Sequence, residues 1–168
     1  SDNARYQITF MGYDSSWDSA DQIPMRAVQS GSISRLDSLD DRVGGESSRY
    51  SLSGNYHIDH GDSATKANIY GIYYDLNLWS NFTYFLDDPI NGDQFEQADK
   101  RMIYGGNIAH TLFDRDFMGS ETDHTFGAQV RLDDISDVGL HKTQNRTRIS
   151  TIREDDVLEL SLAAYYQN

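Results

Sequence analysis

The residues that could do chemistry fall into a few clusters. Asp87-Asp88-Pro89-Ile90-Asn91-Gly92-Asp93-Gln94-Phe95-Glu96 crowds four carboxylates and an amide around a glycine. Flexible loops of oxygen ligands suit calcium, which makes Asp88, Asn91 and Asp93 the metal-ligand candidates. The spacing is not that of an EF-hand, because Pro89 and Ile90 stand where ligands belong, so a solvated Asn-Gly turn is the expectation. His57, Asp59, His60 and Asp62 gather beside a turn, but on a strand His57 and Asp59 share a face that His60 does not. Asp133-Asp134 and Asp155-Asp156 are adjacent acids. Neighbours on a strand point to opposite faces, so neither pair makes the acid/base couple a glycosidase needs. His141, Lys142, Arg146, Arg148 and Arg153 form a basic cluster, able to hold an anion or to pair with Glu154, Asp155 and Asp156. No nucleophile elbow is present, and an enzyme is the least supported class. No cofactor and no metal are expected.

Charge narrows the partners. The 168 residues carry 14 Lys+Arg against 27 Asp+Glu, a net charge of −13. That balance argues against nucleic acid as a partner, since a binder needs basic patches to displace phosphate counterions. The chain has no cysteine, which removes disulfides, thiolate metal sites and cysteine nucleophiles together. Aromatics reach 12%, too many for a chain disordered by charge alone.

The elements that must position these residues read as strands. Apolar residues recur with period two: Tyr6, Ile8, Phe10; Tyr50, Leu52, Gly54, Tyr56, Ile58; Ile72, Tyr74, Leu76, Leu78, Phe82, Tyr84; Phe126, Ala128, Val130, Leu132; and Leu158, Leu160, Leu162, Ala164, Tyr166. Each run therefore has one apolar and one polar face. The pattern predicts an all-β, antiparallel up-and-down sheet or barrel. Its strands fall near 4–14, 48–59, 65–86, 100–114, 123–135 and 155–167, with long loops at 15–47, 87–99 and 136–154. Several strands exceed the usual ~5–6 residues of globular proteins and match the ~9–11 needed to cross a membrane with tilt. Short turns at one end and long loops at the other fit an outer-membrane barrel. Three architectures fit: a segment of a large barrel, a soluble or surface β-domain that binds carbohydrate or another small ligand, and a small complete eight-stranded barrel.

Three segments carry a family resemblance. They are Trp17 through Gln22-Ile23-Pro24-Met25-Arg26-Ala27-Val28; Ser80-Asn81-Phe82-Thr83-Tyr84 through Gln97; and Phe126-Gly127-Ala128-Gln129-Val130-Arg131-Leu132-Asp133-Asp134-Ile135 with Val138-Gly139-Leu140 and Thr147-Arg148. They resemble loops and strand ends from the middle of the C-terminal barrel of TonB-dependent outer-membrane receptors. The resemblance implies a segment, residues 1–168, of a barrel of about 22 strands. It implies uptake of a scarce small-molecule ligand of the siderophore, cobalamin or glycan class, without catalysis. It implies the outer membrane of a Gram-negative bacterium as location, with membrane lipid as one partner. The TonB energy-coupling protein is the other, acting through parts this chain lacks. Six strands cannot close such a barrel, so self-association through free sheet edges is a further expectation. The loop residues expected to grip the ligand are Trp17, Arg26, Arg35, Tyr84, Phe95, Arg146 and Arg148.

Overall fold

The computed structural model describes residues 3–117 and 119–168. It is all-β, with six strands: β1 (Ala4–Asp18), β2 (Gly44–Asp59), β3 (Ser63–Ser80), β4 (Phe95–Phe117), β5 (Ser120–Gln144) and β6 (Thr147–Gln167). One short helix, α1 (Met25–Gln29), interrupts the first long connection. The strands form a single sheet in chain order, each antiparallel to the next. β1 and β6 each have one strand neighbour.

Register sorts the side chains into two faces, because directly opposed residues share a face. One face is apolar across all six strands. It carries Tyr6, Ile8 and Phe10, then Tyr50, Leu52 and Tyr56, then Ala67, Ile69 and Tyr73. It continues through Tyr104 and Ile108, Phe126, Ala128 and Val130, and Leu158 to Tyr166. Most of these side chains are open to the surroundings; Ile8 is 80% exposed, Ile69 70% and Leu162 71%. Aromatic rings edge the band at both ends. Tyr6–Tyr56 and Phe126–Tyr166 sit at centroid distances of 5.1 Å on one side, and Tyr50 stacks on Tyr73 at 6.3 Å on the other. The Tyr50 hydroxyl donates to Asp14 and that of Tyr73 to Asp75, so the second ring row ends in a belt of carboxylates. On β2 the band runs from Tyr50 to Ile58, about 26 Å of strand at ~3.3 Å per residue.

The opposite face is polar over the same height, with Gln7, Asn55, Asn68, Asn107 and Gln129 in one cross-strand row. Glycines let aromatic rings lie down on the sheet. A Cβ on Gly105 or Gly127 would strike the hydroxyl end of Tyr70 or Tyr165, and one on Gly45 would meet the Trp17 ring.

Three expectations need correction. The phase of β3 differs: Ile72, Tyr74, Leu76 and Leu78 pair with Ser51, Arg49, Ser47 and Gly45, on the face opposite Tyr6 and Leu52. Ile72 is level with Ser51, within the band's height, and faces Ile103, which is 8% exposed; Tyr74, Leu76 and Leu78 lie above the band, where Ile135 shares their face. The loop expected at 136–154 is a hairpin. β5 continues to Gln144 and β6 starts at Thr147, joined by Asn145 and Arg146 with φ of 52° and 63°. Two positive φ values make the primed two-residue turn that matches strand twist. Register shifts at Ile135/Val138, Leu140/His141 and Lys142/Thr143 break the period of two, which hid these strands. The first loop is shorter than 15–47, at 19–43, and the second is displaced from 87–99 to 81–94, with Phe82 and Tyr84 in the loop because β3 ends at Ser80, while the start of β4 at Phe95 still completes the hydrogen-bond ladder.

Trp17 on Gly45 offers a test. Gly45→Ala should lift the indole and cost about 1–3 kcal/mol, read as a lowered denaturation midpoint together with red-shifted tryptophan emission.

Candidate functional site

Both long loops and the Asn145–Arg146 turn leave the same end of the sheet, and they meet there through buried polar side chains. Gln94 is 4% exposed. Its amide nitrogen donates to Asp40 at 3.0 Å, and its oxygen accepts from the Thr143 hydroxyl at 3.0 Å and the Arg146 N–H at 2.8 Å. Asn81, equally buried, donates to the same Asp40 oxygen at 2.8 Å and accepts from the Tyr84 N–H at 2.9 Å, while its own N–H goes to Asp21 at 2.6 Å. One carboxylate in the first loop thus ties together the start and end of the second. Sequence reading missed Gln94, Asn81 and Asp40, because buried amides in a polar stretch leave no periodic signal.

Arg146 is left-handed in backbone, and its side chain explains how that is held. Nε donates to the Arg42 carbonyl at 2.8 Å and a terminal nitrogen to Asp18 at 3.0 Å, while the guanidinium lies 4.9 Å from the Trp79 ring centroid. Arg148 makes a two-point contact with Glu96 at 2.6 and 3.1 Å and lies 3.7 Å from Asp137. Its bonds to Glu96 hold the guanidinium charged more firmly than usual against partial burial. Two of the four arginines expected to grip a ligand, Arg146 and Arg148, are therefore engaged by the chain's own acceptors. Trp17 lies on Gly45. Phe95 packs edge-on against Phe82 at 5.3 Å. The Tyr84 hydroxyl donates to the Gln22 carbonyl at 2.6 Å, and burial, then Asp21 and Asp40, raises its pKa. Arg26, at α1, and Arg35 are exposed and make no ion pair among the described residues. Of the seven, Trp17, Tyr84, Phe95, Arg146 and Arg148 converge on this end as supports, and the two loop arginines remain free to meet a ligand.

The metal-ligand candidates are occupied from within. The Asp93 carboxylate accepts the N–H groups of Leu86, Asp87 and Asp88 at 2.8, 3.1 and 2.7 Å. Asp88 accepts from Ile90, from the Asn91 backbone and from the Asn91 amide at 2.9–3.0 Å. No group of three His, Cys, Asp or Glu among the described residues is placed to hold a metal. Partial burial raises the Asp93 pKa, but the Asp87 N–H, the Thr83 hydroxyl and the other N–H groups outweigh it and hold the carboxyl below its usual range. Asp88 is lowered chiefly by the Asn91 N–H.

A cavity of about 350 Å³ opens between the loops, lined by Asp41, Arg42, Tyr84, Phe85, Asn91, Gln144 and Asn145 among others. It mixes aromatic faces with amides, two carboxylates (Asp40 and Asp41) and one guanidinium (Arg42), enough to orient a small polar ligand. Beside it, His141 is wholly buried; Nδ1 meets the Thr151 hydroxyl at 3.0 Å, whereas Nε2 and one Asp137 oxygen converge over Gly139 without a hydrogen bond. No protein-family model, curated protein or solved structure matches the chain.

Two outcomes follow. Gln94→Ala leaves Asp40, Thr143 and Arg146 without a shared partner and should cost about 2–3 kcal/mol, read by urea unfolding. Because Asp88 and Asp93 are held below the ordinary carboxylate value, their contribution is present above about pH 4 and is lost as pH falls through the lower folded values. Amide protection factors at Leu86, Asp87, Asp88 and Asn91 should hold from pH 7 to 5 and fall in stronger acid.

Proposed function

We propose that this chain forms part of the wall of an outer-membrane barrel of the TonB-dependent receptor kind. In this reading it serves uptake of a scarce small ligand of the siderophore, cobalamin or glycan class and makes or breaks no bond. The observation that carries the reading is the apolar face: continuous over six strands, exposed, and edged by aromatic rows at both ends. Outer-membrane barrels carry an outward apolar band between aromatic girdles, with polar residues on the inner face. Soluble monomers rarely expose a contiguous apolar patch of comparable extent. No helix among the described residues is long and apolar enough to cross a membrane, so strands are the only spanning elements this reading can use.

In this assignment Tyr50 and Tyr73 hold their hydroxyls at the headgroup layer, and Asp14 and Asp75 stand in water beyond it. The loops bound through Gln94 and Asp40 form the outer mouth. Arg26 and Arg35 reach from the first loop toward a ligand. The unpaired sides of β1 and β6 take further strands, from the same barrel or from another copy. Energy coupling through TonB belongs to other parts of such a receptor.

Arginine placed on alternate residues of β6 separates this reading from a water-soluble sheet. Leu160→Arg or Leu162→Arg should cost about 2–4 kcal/mol of folding free energy in lipid vesicles, whereas Ser161→Arg should cost less than about 1 kcal/mol. Equal tolerance of both faces, or a monodisperse, detergent-independent monomer in plain buffer, would overturn the lipid assignment.

A further inference from the structure

The polar face carries one row that neither the loops nor the lipid band uses. Gln7 faces Asn55, Asn55 faces Asn68, Asn68 faces Asn107, and Asn107 faces Gln129. Five strands thus place one carboxamide each at the same height, spaced by the ~4.8 Å between strands. Asn68 donates to the Asn55 oxygen at 2.9 Å. The side chains of Gln7, Asn107 and Gln129 are exposed, and none makes a hydrogen bond within the described residues. A row meant only to lock strands together would satisfy its amides against each other; this one leaves donors and acceptors open.

Two tyrosines flank the row on the same face. Tyr70 lies across Gly105 one step to one side, and Tyr165 lies across Gly127 one step to the other. Each glycine lets its ring lie down rather than stand away from the sheet. A hollow of about 320 Å³ joins Tyr70, Asn107, Gln129 and Ser161.

We propose that this row is a binding track for a neutral oligosaccharide lying across the strands. A carboxamide presents a donor and an acceptor in one plane, which suits adjacent ring hydroxyls. An aromatic face suits the C–H face of a pyranose. Amides carry no charge, so they do not favour an ionic ligand. Of the cations on this face, Arg131 is held by Asp133 at 2.6 and 2.8 Å, whereas Arg5, His57 and Lys66 stand one step from Gln7, Asn55 and Asn68 and share a hollow with them, so the neutral stretch of the track is its Asn107–Gln129 end. The track narrows the ligand class of the proposed receptor to glycans. It rests on that reading for its transport role, but binding itself needs only the sheet.

The test is titration of the whole chain in detergent with maltohexaose, cellohexaose and chitohexaose, following the side-chain amide resonances of Asn68, Asn107 and Gln129. At least one sugar should shift these resonances with a Kd of about 1 mM or tighter. The double variant Asn107→Ala, Gln129→Ala should weaken binding by about tenfold or more, and Tyr70→Ala should weaken it independently. Citrate, as an anionic probe drawn to Arg5 and Lys66, should leave the Gln129 amide unmoved. Absence of a shift with all three sugars up to about 10 mM, or undiminished binding by the double variant, overturns the track. Flotation of the same protein with phospholipid vesicles reads the membrane assignment separately. Flotation without sugar binding removes the track and leaves the barrel reading intact. Sugar binding without flotation keeps the track and removes the barrel.

Discussion

A sheet can leave an apolar face uncovered only if the medium against that face is not water. Burial of apolar area is worth roughly 25 cal/mol per Å², and a face six strands wide forgoes that gain wherever it meets solvent. Here the exposed side chains include Ile8, Leu52, Ile69, Leu160 and Leu162, all on one side. The face across from them is no alternative core, since at the same height it holds a row of amides. Among the described residues no second layer covers the apolar face, and few hydrophobic residues are buried: Val43, Ala64, Trp79, Ala98 and Ile103. Such a chain acquires its stability from backbone ladders, from glycine–aromatic contacts, and from whatever covers the apolar band.

The polar end obeys a different rule. Where strands rise beyond the aromatic row, the face that was apolar turns polar with Asp14, Glu46, Asp75 and Asn77 while Tyr74, Leu76 and Leu78 line the other, and at the loops order comes from buried hydrogen bonds. Asp40, Asn81 and Gln94 share a carboxylate between two loops, and Arg146 spans from the β5–β6 turn to the end of β1. Breaking any one of them leaves a desolvated group behind, which is why these contacts hold loops that contain almost no apolar core. Arg146 and Arg148 in this setting bind the chain's own acceptors, Asp18, the Arg42 carbonyl and Glu96, contacts that their charge in the sequence does not disclose.

The fold was largely legible because alternation is a direct record of a strand's two faces. Tyr6 to Phe10, Tyr50 to Ile58, Phe126 to Leu132 and Leu158 to Tyr166 each keep to one face, as their alternation requires, and register puts all four runs on the same one. The failure in β3 has a physical cause. Ile72 through Leu78 alternates as well as any other segment, but its apolar residues lie on the face opposite Tyr6 and Leu52, mostly at the height beyond the band. Period alone cannot say which face is which. The hairpin at Asn145–Arg146 was hidden twice: bulges slipped its phase, and an arginine occupies a left-handed position that usually signals itself with glycine. The loop hub left no trace because its members touch across 41 to 54 residues of sequence.

The central claim is that alternate residues of each strand face lipid and water. The absence of cysteine makes single-site spin labelling free of background. Labels placed one at a time from Leu158 to Tyr166, in vesicles, should alternate: oxygen-accessible at Leu160, Leu162 and Ala164, and accessible to a water-soluble nickel chelate at Ser161 and Ala163. Uniform access to the chelate, or the opposite phase, would contradict a membrane-facing sheet.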